Sequence, residues 1–389
     1  MEVGRNTGGR GGGDARQWDE ESYRRSILIE RELSSRIVFR TAFAPSVNPN
    51  PEIVLVAASD GSLSAYSIAS CIASCPRPML CSKETDQKVA PVVLSAGPLC
   101  SIQAHKGPTY DLKLDGNDED ALLLSCGDDG YIRVWKWAEV HMAAVQGSHK
   151  GEKLRPILEL VNPQKERPWG ALSPIPENNA IAVDKEDGSI FSAAGDSCAY
   201  CWDMETGKKK IVFKGHSDYL HSVTVRKSNN QIITGSEDGT ARVWDCRSGR
   251  CAHVIDPQKS FKLKESTWIS SVALDNSGSW LVCGTGRGLS AWNLISYECI
   301  FSFDSHSPIQ DLLFHDNQIL AVGSEPVLRC FNINGKILSQ VHCAPFSAFS
   351  ISVHPSGVKA VAGYGGLVDI ISEFGSHLCI FCCKSADSL

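Results

Sequence analysis

Apolar residues in this chain come in short runs broken by Gly, Asp, Asn and Pro. Val38–Phe43, Ile53–Ala58, Ile232–Ser236 and Leu289–Leu294 are examples. Most runs are β-branched or alternate with polar positions, which predicts strands. They recur in groups across the chain from about residue 37 to residue 383. One stretch differs. In residues 20–36, Tyr23, Ile27 and Leu28 fall at helical spacing, with Glu20 and Glu21 at the start and Arg36 at the end, predicting a short amphipathic helix. Two stretches interrupt the strand pattern: 70–97, with Pro76, Pro78 and Pro91, and the polar insert 139–153. Both are expected to be surface excursions.

The clearest unit is Ile232 to Arg247, read as strand, turn and strand around Glu237-Asp238-Gly239 and ending in Trp244-Asp245, with Gly215-His216 upstream. A Gly-His pair, an Asp-Gly turn and a terminal Trp-Asp at this spacing resemble the WD repeat, one blade of a β-propeller. The Trp position recurs as Tyr66, Trp135, Trp202, Trp244, Trp292, Phe331 and either Ile370 or Ile371. These seven members imply an all-β, seven-bladed propeller spanning 37–383. It follows a Gly/Arg tail and short helix at 1–36 and precedes a C-terminal tail at 384–389. Closure of the ring removes exposed sheet edges. An eighth blade would have to hide in 70–97, which alternates little.

The residue types have a physical reason. Trp244 can donate its indole N–H to Thr234, Thr234 can bond His216, and His216 can bond Asp238. Blade 2 carries the matching set His105, Ser125, Asp129 and Trp135, expected to form a second complete tetrad. Blade 3 holds Ser192, Asp196 and Trp202 without an obvious leading His. A His, a hydroxyl and an Asp together also suit a hydrolase triad. The hydroxyl here faces a buried Trp, so these groups are expected to lock loops, and no catalytic residue is assigned. No P-loop or G-x-S-x-G motif is present.

Composition narrows the setting. The chain has 389 residues and a net charge of −6, which argues against a bare phosphate-binding surface. No apolar run is long enough to span a membrane, and the first thirty residues lack a signal-peptide core. Sixteen Cys without such a signal read as reduced thiols. Cys198 and Cys201 form a C-x-x-C on one predicted strand, where residues three apart face opposite ways. Cys379, Cys382 and Cys383 lie in an apolar final strand. No metal site and no cofactor is expected. Arg5, Arg10 and Arg16 stand in the Gly-rich segment 1–17, whose single Arg-Gly-Gly element is a weak basis for direct RNA contact.

Two further resemblances concern partners. Ile232–Arg247 resembles a DWD box, with Arg242 ahead of Trp244 and the ending Trp244-Asp245-Cys246-Arg247. That resemblance implies docking to the damaged-DNA-binding adaptor of a cullin 4 RING ubiquitin ligase, with the chain as receptor for an unidentified ubiquitination substrate. The bland alternative is ordinary WD consensus, with Arg247 paired to a nearby carboxylate. Separately, the stretches 105–112, 168–172, 215–221 and 280–286, with the helix before blade 1, resemble the THO complex subunit 6 family. That family implies a nuclear, non-catalytic scaffold assembling with other THO subunits in mRNA processing and export. Together with a DWD box, the resemblance is to the plant branch and implies negative regulation of abscisic-acid signalling. The exposed-aromatic reading adds Trp169, Tyr219 and Trp268 as candidate contacts on one rim, each also suited to wedging between blades.

Overall fold

The computed structural model describes residues 21, 24, 27, 31 and 35, and then 36–383 except 47, 75–93, 117–119, 147–153, 167–171, 262–267 and 306. Seven antiparallel sheets follow one another around a ring: blade 1 at 38–103, blade 2 at 109–161, blade 3 at 178–214, blade 4 at 220–255, blade 5 at 269–304, blade 6 at 309–342 and blade 7 at 348–383. Each blade takes four strands, a to d from the axis outward, in chain order. The chain is a seven-bladed β-propeller with few helices. Strand b is buried on both faces in most blades, which explains its unbroken apolar run; Ile53–Ala58 and Ser189–Ala194 are buried throughout. The core consists of seven clusters, most of which join residues of neighbouring blades.

Three details differ from expectation or settle it. Residues 70–97 are not wholly irregular. A helix, Ile68–Ser74, tucks Ile68 and Cys71 into the cluster holding Cys379, Phe381 and Cys383. Leu94–Ala96 then adds a fifth, parallel strand to the outer edge of blade 7. The polar insert begins as a second helix, Trp137–Gln146, whose Trp137 and Val140 are buried against blades 1 and 2. The seventh Trp position is Ile371. It pairs with Lys359 as Trp244 pairs with Ile232, and it packs on blade 6 as Trp244 packs on blade 3.

At the N-terminus, the described residues Glu21, Arg24, Ile27, Arg31 and Ser35 are helical; Tyr23 and Leu28 lie outside the described residues. Blade 7 closes on blade 1 through Arg36. Its guanidinium pairs with Asp60 and reaches the Cys383 carbonyl, and its own carbonyl accepts the Gly366 N–H.

Every strand a carries a register shift at its second residue, a β-bulge. That residue is Phe39, Tyr110 or Phe349 in blades 1, 2 and 7, and Asn179, His221, Ser270 or Gln310 in the others. The third residue then bonds the next blade. Asp111 accepts the Ile181 N–H at 3.0 Å, Asp311 accepts that of Ile351 at 2.9 Å, and Ser350 accepts that of Thr41 at 2.9 Å. Arg40 bridges the two buried carboxylates, lying 2.8 Å from Asp111 and hydrogen-bonded to Asp311. One cation thus ties blades 1, 2 and 6 together across the axis.

Candidate functional site

The tetrads sit on the face formed by the b–c turns and the d–a loops. In blade 4 the chain runs from Trp244 Nε1 to Thr234 Oγ1 at 2.8 Å, from Thr234 Oγ1 to His216 Nε2 at 2.8 Å, and from His216 Nδ1 to Asp238 Oδ2 at 2.8 Å. Asp238 also accepts the Thr240 hydroxyl and the backbone N–H groups of Ser217 and Thr240. Burial lowers the His216 pKa against the pull of Asp238, so the ring favours its neutral form. Burial acts to raise Asp238, but the bonds from His216 and Thr240 outweigh it and hold the carboxyl well below the usual range. The Thr234 hydroxyl is fully buried and bonded on both sides, so no substrate reaches it as a nucleophile.

Blade 2 repeats only part of this chain. His105 bonds Ser125 at 2.7 Å and Asp129 at 2.8 Å. The expected fourth link is absent: the buried Trp135 indole N–H has no hydrogen-bond partner among the described residues. Arg133 takes over the outer end, donating to Asp129, to the Ala104 carbonyl and to Glu159, each at 2.8 Å. Blade 3 makes the Trp202–Ser192 link at 3.2 Å, while Asp196 accepts from Tyr200. The place of the leading His is filled by Asn162, whose backbone N–H bonds Gly130 as that of His105 bonds Gly61. Its side chain donates to Asn178 and to the Pro176 carbonyl. Sequence reasoning missed this Asn pair, because an Asn at the end of strand d carries no Gly-His signal.

The proposed docking residues divide between the two faces. Trp244 is 1% exposed and lies inside the core, so a partner cannot touch it. Arg242 is half-buried on the tetrad side, against Gly215. Asp245 and Arg247 stand apart on the opposite face, in the c–d turn. Asp245 accepts the Arg247 N–H at 3.0 Å and the Ser248 hydroxyl at 2.8 Å. Those bonds, the Arg247 N–H first, lower the Asp245 pKa. The same turn recurs with Asp203 in blade 3, Asn293 in blade 5 and Asn332 in blade 6. Its third residue is Glu205, Ile295 and Asn334 there, so an Arg at that place is peculiar to blade 4 among these four. Arg247 is exposed and has no ion-pair partner among the described residues.

Of the rim aromatics, Tyr219 is 48% exposed. Trp268 is half-buried over Gly286, where an added Cβ would meet its ring at 3.0 Å, so Trp268 wedges into the b–c turn of blade 5. Trp169 lies outside the described residues. The C-x-x-C thiols separate as strand geometry requires, Cys198 into one core cluster and Cys201 into the next. Among the described residues no cluster of three metal-ligating side chains occurs, and no helix is long and apolar enough to cross a membrane.

The WD domain, G-beta repeat family matches residues 96–136 and 207–245, the segments that end in Trp135-Lys136 and Trp244-Asp245. Among whole chains, THO complex subunit 6 of Arabidopsis thaliana is 54% identical over 370 residues, covering 95% of this chain and 98% of that protein. The THO complex subunit 6 homolog of Danio rerio is 31% identical, covering 72% of this chain and 82% of its own length. THO complex subunit 6 of Homo sapiens is 28% identical, covering 86% and 90%. With more than half of its residues shared along nearly the whole ring, the chain belongs to the THO complex subunit 6 family of WD-repeat proteins.

Proposed function

We propose that this chain is a non-catalytic scaffold of the THO complex, acting in the nucleus in mRNA processing and export. The observation that carries this is the 54% identity spread over 95% of the chain, which leaves no blade outside the shared region large enough to redirect its role. The geometry is compatible: the tetrad groups with catalytic chemistry are spent on holding loops, while two broad faces and an outer wall stay open to partners.

The same molecule serves as a substrate receptor of a cullin 4 RING ligase through Asp245 and Arg247, acting as a negative regulator of abscisic-acid signalling. The support is the Arg247 guanidinium, exposed, without an ion-pair partner among the described residues, and presented by a turn that Asp245 pins from within. An arginine held this way offers bidentate donors to a carboxylate or a face to an aromatic ring.

Affinity purification of the tagged chain from nuclear extract, beside Arg247→Ala, tests both roles. THO subunits are expected in both eluates and the ligase adaptor only with the unaltered chain. Absence of the adaptor from both eluates removes the receptor role and leaves the scaffold. Absence of THO subunits from both removes the scaffold reading.

A further inference from the structure

Two positions before the Trp place on strand c, every blade carries a polar residue. Six of the seven find an oxygen or nitrogen partner within their own blade. In blade 1, Ser64 meets Ser101 at 2.9 Å, and in blade 5, Ser290 accepts the Trp292 indole N–H at 2.9 Å. Tyr200 in blade 3 donates to Asp196 at 2.8 Å, and Asp369 in blade 7 bonds His377 at 2.9 Å. Two arginines pair with carboxylates: Arg133 in blade 2 with Asp129 and Glu159, and Arg329 in blade 6 with Glu325.

Blade 4 breaks the pattern. Arg242 forms no ion pair and no hydrogen bond to oxygen among the described residues, and its buried Nε has no acceptor. The reasons are local. Asp238, which stands where Asp129 stands in blade 2, is occupied by His216, Thr240 and two backbone N–H groups. The strand d residue opposite Arg242 is Val254, whereas the one opposite Arg133 is Glu159. Val254 is 53% exposed and supplies no acceptor. Arg242 lies instead against Gly215, where an added Cβ would meet Nη1 at 2.8 Å, and beside the Cys251 thiol, a weak acceptor. A half-buried guanidinium without an anion costs stability, and nothing in the packing of the blade requires it.

We propose that the anion comes from outside the chain. The seam between blades 3 and 4 on the tetrad face is a docking point at which Arg242 receives a Glu or Asp side chain of a partner polypeptide, with an apolar residue of the same segment on Val254. The partner then supplies in trans what Glu159 supplies to Arg133 within blade 2. A carboxylate is favoured over a phosphate because the exposed Val254 beside it sits on an open strand edge, which suits a polypeptide: strand d of blade 4, Cys251–Ile255, pairs with strand c and with no other strand among the described residues. This point lies on the face opposite Arg247 and stands independently of the ligase reading.

Variants of the full chain test whether Arg242 is unsatisfied at home. Val254→Glu rebuilds the blade 2 arrangement inside blade 4 and should lower the unfolding equilibrium constant in urea about threefold. Arg242→Met should leave that constant within about twofold, while Arg133→Met, which strips two carboxylates of their partner, should raise it about tenfold. Equal losses at both arginines would mean that Arg242 is satisfied within its own chain, and would overturn the proposal. Docking is read on complexes isolated from cell extract with the tagged chain. Arg242→Lys keeps the charge and supplies an amine for zero-length carbodiimide coupling. Mass spectrometry should find that amine joined to an Asp or Glu of another polypeptide, and adding Val254→Glu should cut the product about tenfold by filling the site. Coupling to acids of its own chain alone, coupling no more selective than that of the exposed Lys214 nearby, or no coupling at all overturns the proposal. A contact abolished by ribonuclease assigns the site to RNA phosphate and overturns it as well.

Discussion

Blades 2 and 4 each carry a His, a hydroxyl residue, an Asp and a Trp at the same places, yet only blade 4 threads them into one chain. In blade 4 the Trp244 indole reaches Thr234. In blade 2 the Trp135 indole stays unpaired, and Arg133 anchors Asp129 from the solvent side instead. Blades 6 and 7 lack the His–hydroxyl–Trp chain and put Phe331 and Ile371, both fully buried, where the Trp stood; blade 6 keeps an Arg329–Glu325 pair at its b–c turn, and blade 7 relies on apolar packing. The loops are held in all four. What differs is whether the lock is a hydrogen-bonded chain, a salt-bridged carboxylate or plain apolar packing, and each fails under a different perturbation.

The largest effect is expected where the ring depends on a single cation. Arg40→Ala leaves Asp311, 4% exposed, without its cation and Asp111, 1% exposed, with only the more distant Lys113 ammonium at 3.7 Å. A loss of about 3 kcal/mol is expected, measured by urea unfolding. An unchanged midpoint would show that the axial bridge adds nothing to the blade locks.

Next comes the comparison of the two tryptophans. Trp244→Phe removes a donor and leaves Thr234 and His216 to rearrange, for about 1–2 kcal/mol. Trp135→Phe removes an N–H that is already unsatisfied, so it should cost less than Trp244→Phe, the loss of buried ring volume being common to both. Equal losses in the two variants would erase the distinction drawn between the blades.

Acid should act on blade 4 through His216. Its folded pKa is lowered below 6.5 by burial, so the unfolded chain binds the proton more readily. The stability it contributes is complete above about pH 6.5 and is lost as pH falls through the folded pKa. The Asp238 contribution follows only as pH drops below the ordinary carboxylate range. The melting temperature should therefore fall between pH 7.5 and pH 5, and His216→Asn should flatten that slope. A parallel slope in the variant would place the titration elsewhere.

The smallest effect on folding belongs to Arg247→Ala, within about 0.5 kcal/mol because the side chain is exposed and the turn is held by Asp245. Adaptor capture should nevertheless be lost. A variant that unfolds would mean that the guanidinium serves the turn.

Much of the fold was legible because a propeller repeats its code. The Trp position, the turn Asp and the apolar b strands of blades 2 to 4 can be read off by alignment, as can the decay through Gly286 and Phe331. The helix Ile68–Ser74 was not legible. Seven residues are too few for a helical period to stand out, and its cohesion comes from Cys379, Phe381 and Cys383, some three hundred positions away. The same holds for the strand Leu94–Ala96, which exists by pairing with the last strand of the chain.

Residue types and spacing alone determined that this chain closes a seven-membered ring of WD blades and which His, Thr and Asp groups recur at the blade turns, because each such pattern is written within one blade and its loop. Whether a given donor meets its acceptor is decided by positions of tenths of an ångström set by neighbouring blades. Only the tertiary structure could therefore decide that Trp135 lacks a partner and that Arg40 spans three blades. It alone placed Arg242 on the tetrad face and Arg247 on the opposite one.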